Sequence, residues 1–225
     1  MDARSEILYT YAVSADDRLA RKCMDDFRRS QRQDSLLNAS YPFCRPNVIP
    51  GFSIYYIFML YDHMMYFGDK QLLEDHLPTV FEILNYFHLN REEKGYVAKI
   101  GGLNGSDANW SFIDWTPEWD DTTGVPAAVK YGPVTMESLL YVMGLQYTSA
   151  ILDYLGQAEQ AALYLSRAEE VQKSVCRYCT GQNGMLQDGR ALNCIASMFR
   201  HLPSLQKLWI WCKAQKFGSC IALSP

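Results

Sequence analysis

FSIYYIFMLYDHMMYF, residues 52–67, is apolar on nearly every side of a helix. A helix of that kind has no face to give to water and is buried on most sides. Gly68 and Asp69 follow it, a stop signal and a start signal together. Residues 70–90 then show a different pattern, an amphipathic helix with a break or restart expected at Pro78, which has no N–H to donate. The alternation recurs. Residues 136–155 carry two charges, Glu137 and Asp153, among large apolar groups. Gly156 separates them from residues 157–179, which are rich in Ala, Glu, Lys and Arg. An apolar helix followed each time by a charged amphipathic one predicts two layers, an inner ring shielded by an outer one, built of antiparallel helical hairpins.

The flanking sequence extends this pattern. Residues 3–15 predict a first helix, with Ile7, Leu8, Tyr11 and Ala15 on one side. Asp16 and Asp17 provide an N-cap and a negative first turn for a second helix. That helix runs to about Ser30, with Leu19, Cys23 and Phe27 as its apolar row. Residues 34–51 hold three prolines and form a loop. Residues 91–133 are long and irregular, punctuated by glycines and prolines, before Thr135 caps the next helix. A loop of that length in a compact domain usually carries function. No sequence repeat of fixed period is visible, which argues against a solenoid.

Composition excludes several classes of function. The chain has 225 residues, 48% hydrophobic and 20% charged, which is enough apolar material for a folded domain. A net charge of -4 with scattered Lys and Arg lacks the basic face that a nucleic-acid partner needs. No run of about 20 apolar residues predicts a membrane span. The start, MDARSEILYT, lacks the basic-then-apolar order of a signal peptide, so the expected location is cytoplasmic. Seven scattered cysteines suggest reduced thiols. Cys176 and Cys179 make a C-x-x-C without two further ligands nearby, so no metal or other cofactor is expected. Gly101, Gly102 and Gly105 lack the strand, Lys and Ser/Thr of a phosphate loop. His63 beside Asp62 fits a satisfied core histidine, or a group turned toward a cleft from an inner helix.

The segment from Asn104 to Asp121, NGSDANWSFIDWTPEWDD, concentrates the chemistry. Trp110, Trp115 and Trp119 fall within ten residues, among Asp107, Asp114, Glu118, Asp120 and Asp121. Indole faces can carry the apolar faces of sugar rings, and carboxylates can bind hydroxyls or transfer protons. Two readings stand at this point: a carbohydrate cleft on a loop, or tryptophans that plug a helical core while the acids face water.

Three stretches in this order, FSIYYIFMLYDHMMYFGDK, WSFIDW and GPVTMESLLYVMGLQ, resemble the catalytic domain of bacterial α-L-rhamnosidases, glycoside hydrolase family 78. The resemblance covers about residues 1–189. It implies an all-α fold, an incomplete (α/α)6 toroid of antiparallel helical hairpins, and a carbohydrate substrate. It also implies that Ile113-Asp114-Trp115 stands where the family has a Gly-Asp-Trp-like segment at the barrel mouth. Met1-Asp2-Ala3 resembles the end of the family's acidic motif, which makes Asp2 a sugar-hydroxyl acid. On this resemblance Asp2, Trp110, Asp114, Trp115 and Trp119 are the expected substrate contacts. No residue here matches the family's general acid or general base, so both are expected outside the chain. Such enzymes invert the anomeric carbon, hydrolysing terminal α-L-rhamnosyl linkages. The alternatives are a non-catalytic remnant or sugar-binding helical module, or another six-hairpin hydrolase such as a glucosidase or an unsaturated-uronide hydrolase. Oligomeric state is left open.

Residues 190–225 do not continue the pattern. Read one base earlier, the codons from Arg190 onward can spell a string that resembles the family's next helix. The tail is therefore expected to be out of frame, the alternative being a divergent C-terminal helix. An unselected tail should pack poorly. An open half-barrel should also leave inner-helix side chains such as Phe58 and Met65 without partners.

Overall fold

The computed structural model describes residues 2–105, 107–181 and 186. The expected tail at 190–225, and the boundary at 189, lie outside the described residues. Six α-helices form three hairpins: α1 (Asp2–Ser14) with α2 (Arg18–Arg29), α3 (Pro50–Phe67) with α4 (Lys70–Leu89), and α5 (Thr135–Tyr154) with α6 (Ala158–Tyr178). Among the described residues the only β pairing is isolated bridges, so the fold is all-α.

The two layers follow from composition. In α3, 13 of 18 residues are buried, and in α5, 16 of 20. In α4 the figure is 9 of 20 and in α6 only 5 of 21. Helices α3 and α5 therefore form the inner wall and pack on each other, with α4 and α6 behind them. Phe87 of α4 stacks on Tyr141 of α5 at 5.5 Å, and Ile54, Leu84 and Leu145 fill the space around them. Phe58, expected to lack partners, is buried against Tyr55 and Tyr147, because α5 crosses it. Met65, two turns further along α3, is 64% exposed as expected.

The α3–α4 turn shows why two residues suffice for a reversal. Gly68 closes α3 in the left-handed region at φ 63°, and its N–H bonds the Met64 carbonyl. A Cβ there would sit 2.9 Å from the Tyr154 hydroxyl, which donates to the Gly68 carbonyl at 2.8 Å. Asp69 then accepts from the Leu72 N–H at 3.1 Å and opens α4.

Four local expectations need correction. Pro78 does not break α4, which runs continuously past it. The ring points to solvent, and Arg28 of α2 donates to the nearby Asp75 carbonyl at 3.0 Å. The buried residues of α2 are Ala20 and Met24; of the expected row, Cys23 and Phe27 pack half-buried against the core and Leu19 is 74% exposed. Arg21 pairs with Asp69 at 2.6 Å across to the start of α4. Val134 rather than Thr135 precedes α5, whereas at α2 Asp17 holds the boundary position as expected and Asp16 accepts the Arg18 N–H at 3.0 Å. Cys176 is disulfide-bonded, not a reduced thiol. No described helix is long and apolar enough to cross a membrane.

Candidate functional site

The long connection between α4 and α5 is held at several points before it presents any side chain. The Trp110 N–H donates to the Val48 carbonyl at 2.8 Å, and its indole N–H to the Thr123 carbonyl at 3.2 Å. Ile113 and Asp114 both donate to the Gly124 carbonyl, at 3.0 and 3.3 Å. Gly124 lies at φ 76° directly beneath the Phe112 ring, where a Cβ would fall 2.4 Å from the ring edge. Only glycine fits that position. A 3-10 turn at Pro117–Thr122 completes the loop.

On this frame sits an aromatic shelf. Phe52 of α3 meets Phe112 edge-on at 6.0 Å, Phe112 meets Trp110 at 4.7 Å, and Trp115 lies 5.1 Å from Phe112 and 6.1 Å from Trp110. The outermost ring, Trp115, is 65% exposed. Trp110 is half-buried and has spent its N–H on the loop. Trp119 corrects the expectation of three ring platforms. It is 2% exposed, packed in the core, and has no face to offer. The two sequence readings are thus divided between neighbours: Trp115 stands out and Trp119 plugs the core.

The acids divide in the same way. Asp114 is half-exposed; its Oδ1 accepts the Trp115 N–H at 2.8 Å, and its Oδ2 has no partner among the described residues. Glu118, Asp120 and Asp121 are exposed. Asp107 accepts the Leu103 N–H at 2.9 Å and shapes its own turn. Asp2 opens α1 and is exposed.

Two groups that the sequence did not single out, Arg4 and Tyr55, both pack against Phe58 of α3. Arg4, two residues after Asp2 in α1, holds Asp62 of α3 through Nε and Nη2 at 2.6 and 3.1 Å. Its guanidinium lies 5.2 Å over the Phe58 ring; burial opposes its charge, and the hydrogen bonds and charge of Asp62 outweigh that and hold it. Burial pushes the Tyr55 phenol up to about 12, with Arg4 pulling it down and Asp114 and Asp2 pushing it up. The available signal was Asp62 itself: a lone acid in an apolar helix requires a buried cation.

His63 is a core histidine. It is fully buried, shares a 2.9 Å hydrogen bond with the Tyr11 hydroxyl, stacks on Phe67, and lies 3.8 Å from Asp17. His76 repeats the arrangement, bonded to the Tyr56 hydroxyl and 3.6 Å from Asp25. Burial lowers both histidine pKa values, that of His76 to about 4. Among the described residues no group of three His, Cys, Asp or Glu could hold a metal.

Solved structures similar to this chain include three described as rhamnosidases. A GH78 family rhamnosidase of Bacillus sp. GL1 superposes with TM-score 0.71 at 16% identity over 96% of this chain. A Klebsiella oxytoca rhamnosidase with rhamnose bound gives 0.64 at 16% identity, also over 96%. An α-L-rhamnosidase of Dictyoglumus thermophilum gives 0.53 at 18% identity over 72%. The chain spans 25%, 45% and 17% of the lengths of those three proteins. At these identities the likeness shows the fold. No curated protein sequence matches. The sequence family is decided separately: residues 1–207 match the family model of the bacterial α-L-rhamnosidase six-hairpin glycosidase domain, and the chain belongs to that family.

Proposed function

We propose that this chain forms one wall of the sugar site of a glycoside hydrolase that removes terminal α-L-rhamnosyl units. The observation that carries the reading is the exposed Trp115 face set beside Asp114, on a loop held to the inner helices by Trp110, Phe112 and Phe52. In this reading Trp115 carries the apolar side of the sugar ring and Trp110 borders it. Asp114 and Asp2 accept hydrogen bonds from its hydroxyls. The Klebsiella oxytoca protein of similar fold is described with rhamnose bound, which favours that sugar over the other substrates of six-hairpin hydrolases.

Inversion needs an acid and a base on opposite sides of the scissile bond, with room for a water between. Asp2 and Asp114 act here as hydroxyl acceptors. The two proton-transfer carboxylates are proposed to belong to other parts of a longer parent protein. The chain alone should bind a rhamnoside and not hydrolyse it. Carbohydrate is the proposed partner, without nucleic acid or membrane, and the cytoplasm the proposed location.

The test is a titration of the chain with methyl α-L-rhamnopyranoside, followed by tryptophan fluorescence, beside an assay with an aryl α-L-rhamnoside. Saturable quenching that Trp115→Ala abolishes, with no turnover, is the expected pair of results. Turnover by the isolated chain would contradict the assignment of proton transfer to other residues. Absence of binding would contradict the site.

A further inference from the structure

The loop that carries Trp115 continues past it and borders a second cavity. This cavity, of about 320 Å³, opens where the start of α5 meets the end of α6, and Tyr96, Tyr131, Tyr178 and Ser138 line it. Its volume falls within the range of small-ligand sites, and no ring of the Trp115 shelf lines it.

Hydrogen bonds fix its walls. The Val97 N–H donates to Ser138 Oγ at 2.9 Å, and the Ser174 hydroxyl donates to the Lys94 carbonyl at 2.6 Å, which ties residues 94–97 to both helices. Tyr96 lies 6.3 Å from Tyr178, with the ring planes at 59°. A second 3-10 turn, Ala127–Lys130, ends with the Tyr131 and Gly132 N–H groups on the Ala128 carbonyl, at 2.9 and 3.0 Å. That turn leaves Tyr131 93% exposed, with no ring or cation against it among the described residues.

The lining chemistry selects the ligand. Tyr131 offers a bare ring face. Lys94 and Arg177 already sit over the Tyr178 ring, at 5.5 and 5.2 Å, so Tyr178 has its edge and hydroxyl to give. Ser138 is 1% exposed; its oxygen accepts from Val97, and its proton has no acceptor among the described residues. The three tyrosine hydroxyls likewise make no hydrogen bond to a described group. A flat aromatic ligand that displaced water here would leave those hydroxyls unpaired. A sugar ring has an apolar face for Tyr131 and a rim of hydroxyls that both donate and accept.

We infer that this cavity is a second sugar subsite, which takes another hexopyranosyl ring of the same glycan, so that the substrate is an oligosaccharide rather than a rhamnoside of an aromatic aglycone. Joining the two sites rests on the Trp115 site proposed above. Gly124, whose carbonyl holds Ile113 and Asp114, precedes the cavity-lining Ala128 by four residues, at most about 14 Å of chain. One extended glycan can reach both.

The experiment titrates the whole isotope-labelled chain with methyl β-D-glucopyranoside, followed by the backbone amide resonances. The glucoside should shift the amides of Tyr131 and Ser138 saturably and leave that of Trp115 in place. Tyr131→Ala, at an exposed position, should weaken glucoside binding about fivefold, and Tyr178→Phe about threefold, while Trp115→Ala leaves it unchanged. The aromatic probe p-cresol should not displace the glucoside. The trisaccharide α-L-rhamnosyl cellobiose should bind about tenfold more tightly than methyl α-L-rhamnopyranoside, and Tyr131→Ala should remove that gain. If the glucoside shifts neither cavity amide, if p-cresol displaces it, or if Tyr131→Ala binds it at full affinity, the inference is wrong, and the Trp115 site is judged by its own rhamnoside titration. If the trisaccharide gains nothing over the monosaccharide, the joined substrate is wrong. If methyl α-L-rhamnopyranoside does not bind at all, the Trp115 site is wrong and the joined substrate falls with it.

Discussion

Trp115 and Trp119 carry the same ring four positions apart, and their surroundings give them opposite work. Trp119 is enclosed, so replacing it by alanine removes a large buried side chain and leaves a cavity. Trp119→Ala should cost about 3–5 kcal/mol of stability in a denaturant titration. Trp115→Ala exposes little that was hidden, so it should change stability by less than about 1 kcal/mol while abolishing rhamnoside binding. Equal destabilisation by the two would make Trp115 a core residue. The sequence could not tell them apart, since indole spacing on an irregular loop says nothing about which ring faces in. The deciding facts are tertiary: Gly124 beneath Phe112, and the Trp110 backbone tied to Val48. The Arg4–Asp62 fork was hidden for a similar reason, its partners being 58 residues apart.

Among the elements, helix boundaries were the most legible feature because local chemistry writes them. Gly68, Asp69 and Gly156 mark the ends of α3 and α5 and the start of α4, in the sequence and in the structure. The face of α2 was legible only in part: Cys23 and Phe27 pack on the core, but Leu19 faces out and the fully enclosed positions are Ala20 and Met24, small or flexible groups that the spacing did not single out. Two Tyr–His pairs are buried near α2, Tyr11–His63 with Asp17 at 3.8 Å and Tyr56–His76 with Asp25 at 3.6 Å. Burial lowers the folded pKa of His76 from about 6.5 to about 4. Between those values the unfolded chain binds more protons than the folded one, so falling pH favours unfolding. The contribution is present above pH 6.5 and is lost progressively toward pH 4, reaching about 3 kcal/mol for His76. His63 acts in the same direction. Urea midpoints should therefore fall between pH 7 and pH 4.5, and fall less in His76→Gln. A flat profile would mean that the buried histidines gain a proton without cost.

At the scale of the whole molecule, the two-layer plan was legible in hydropathy alone, since α3 and α5 have no polar face. Burial of Phe58 was not, because it depends on how α1 and α5 close over α3. Tyr9, Val13, Met65 and Tyr66 remain well exposed on α1 and α3, an apolar surface shared by two helices. The purified chain should self-associate, seen as concentration-dependent sedimentation; a monodisperse monomer across the range would contradict this. The boundary at 189 is our proposal, and resequencing through codons 186–196 should reveal an inserted or missing base if residues 190–225 are out of frame. An unaltered reading frame there would identify the tail as a native segment. The claim on which the account turns is that this wall of a rhamnosidase-family domain is a sugar site centred on Trp115. Its most direct test is titration of the natural chain and of Trp115→Ala with methyl α-L-rhamnopyranoside. The account predicts saturable binding by the first and none by the second at matched stability. Binding that survives loss of Trp115, or no binding by either, would contradict it.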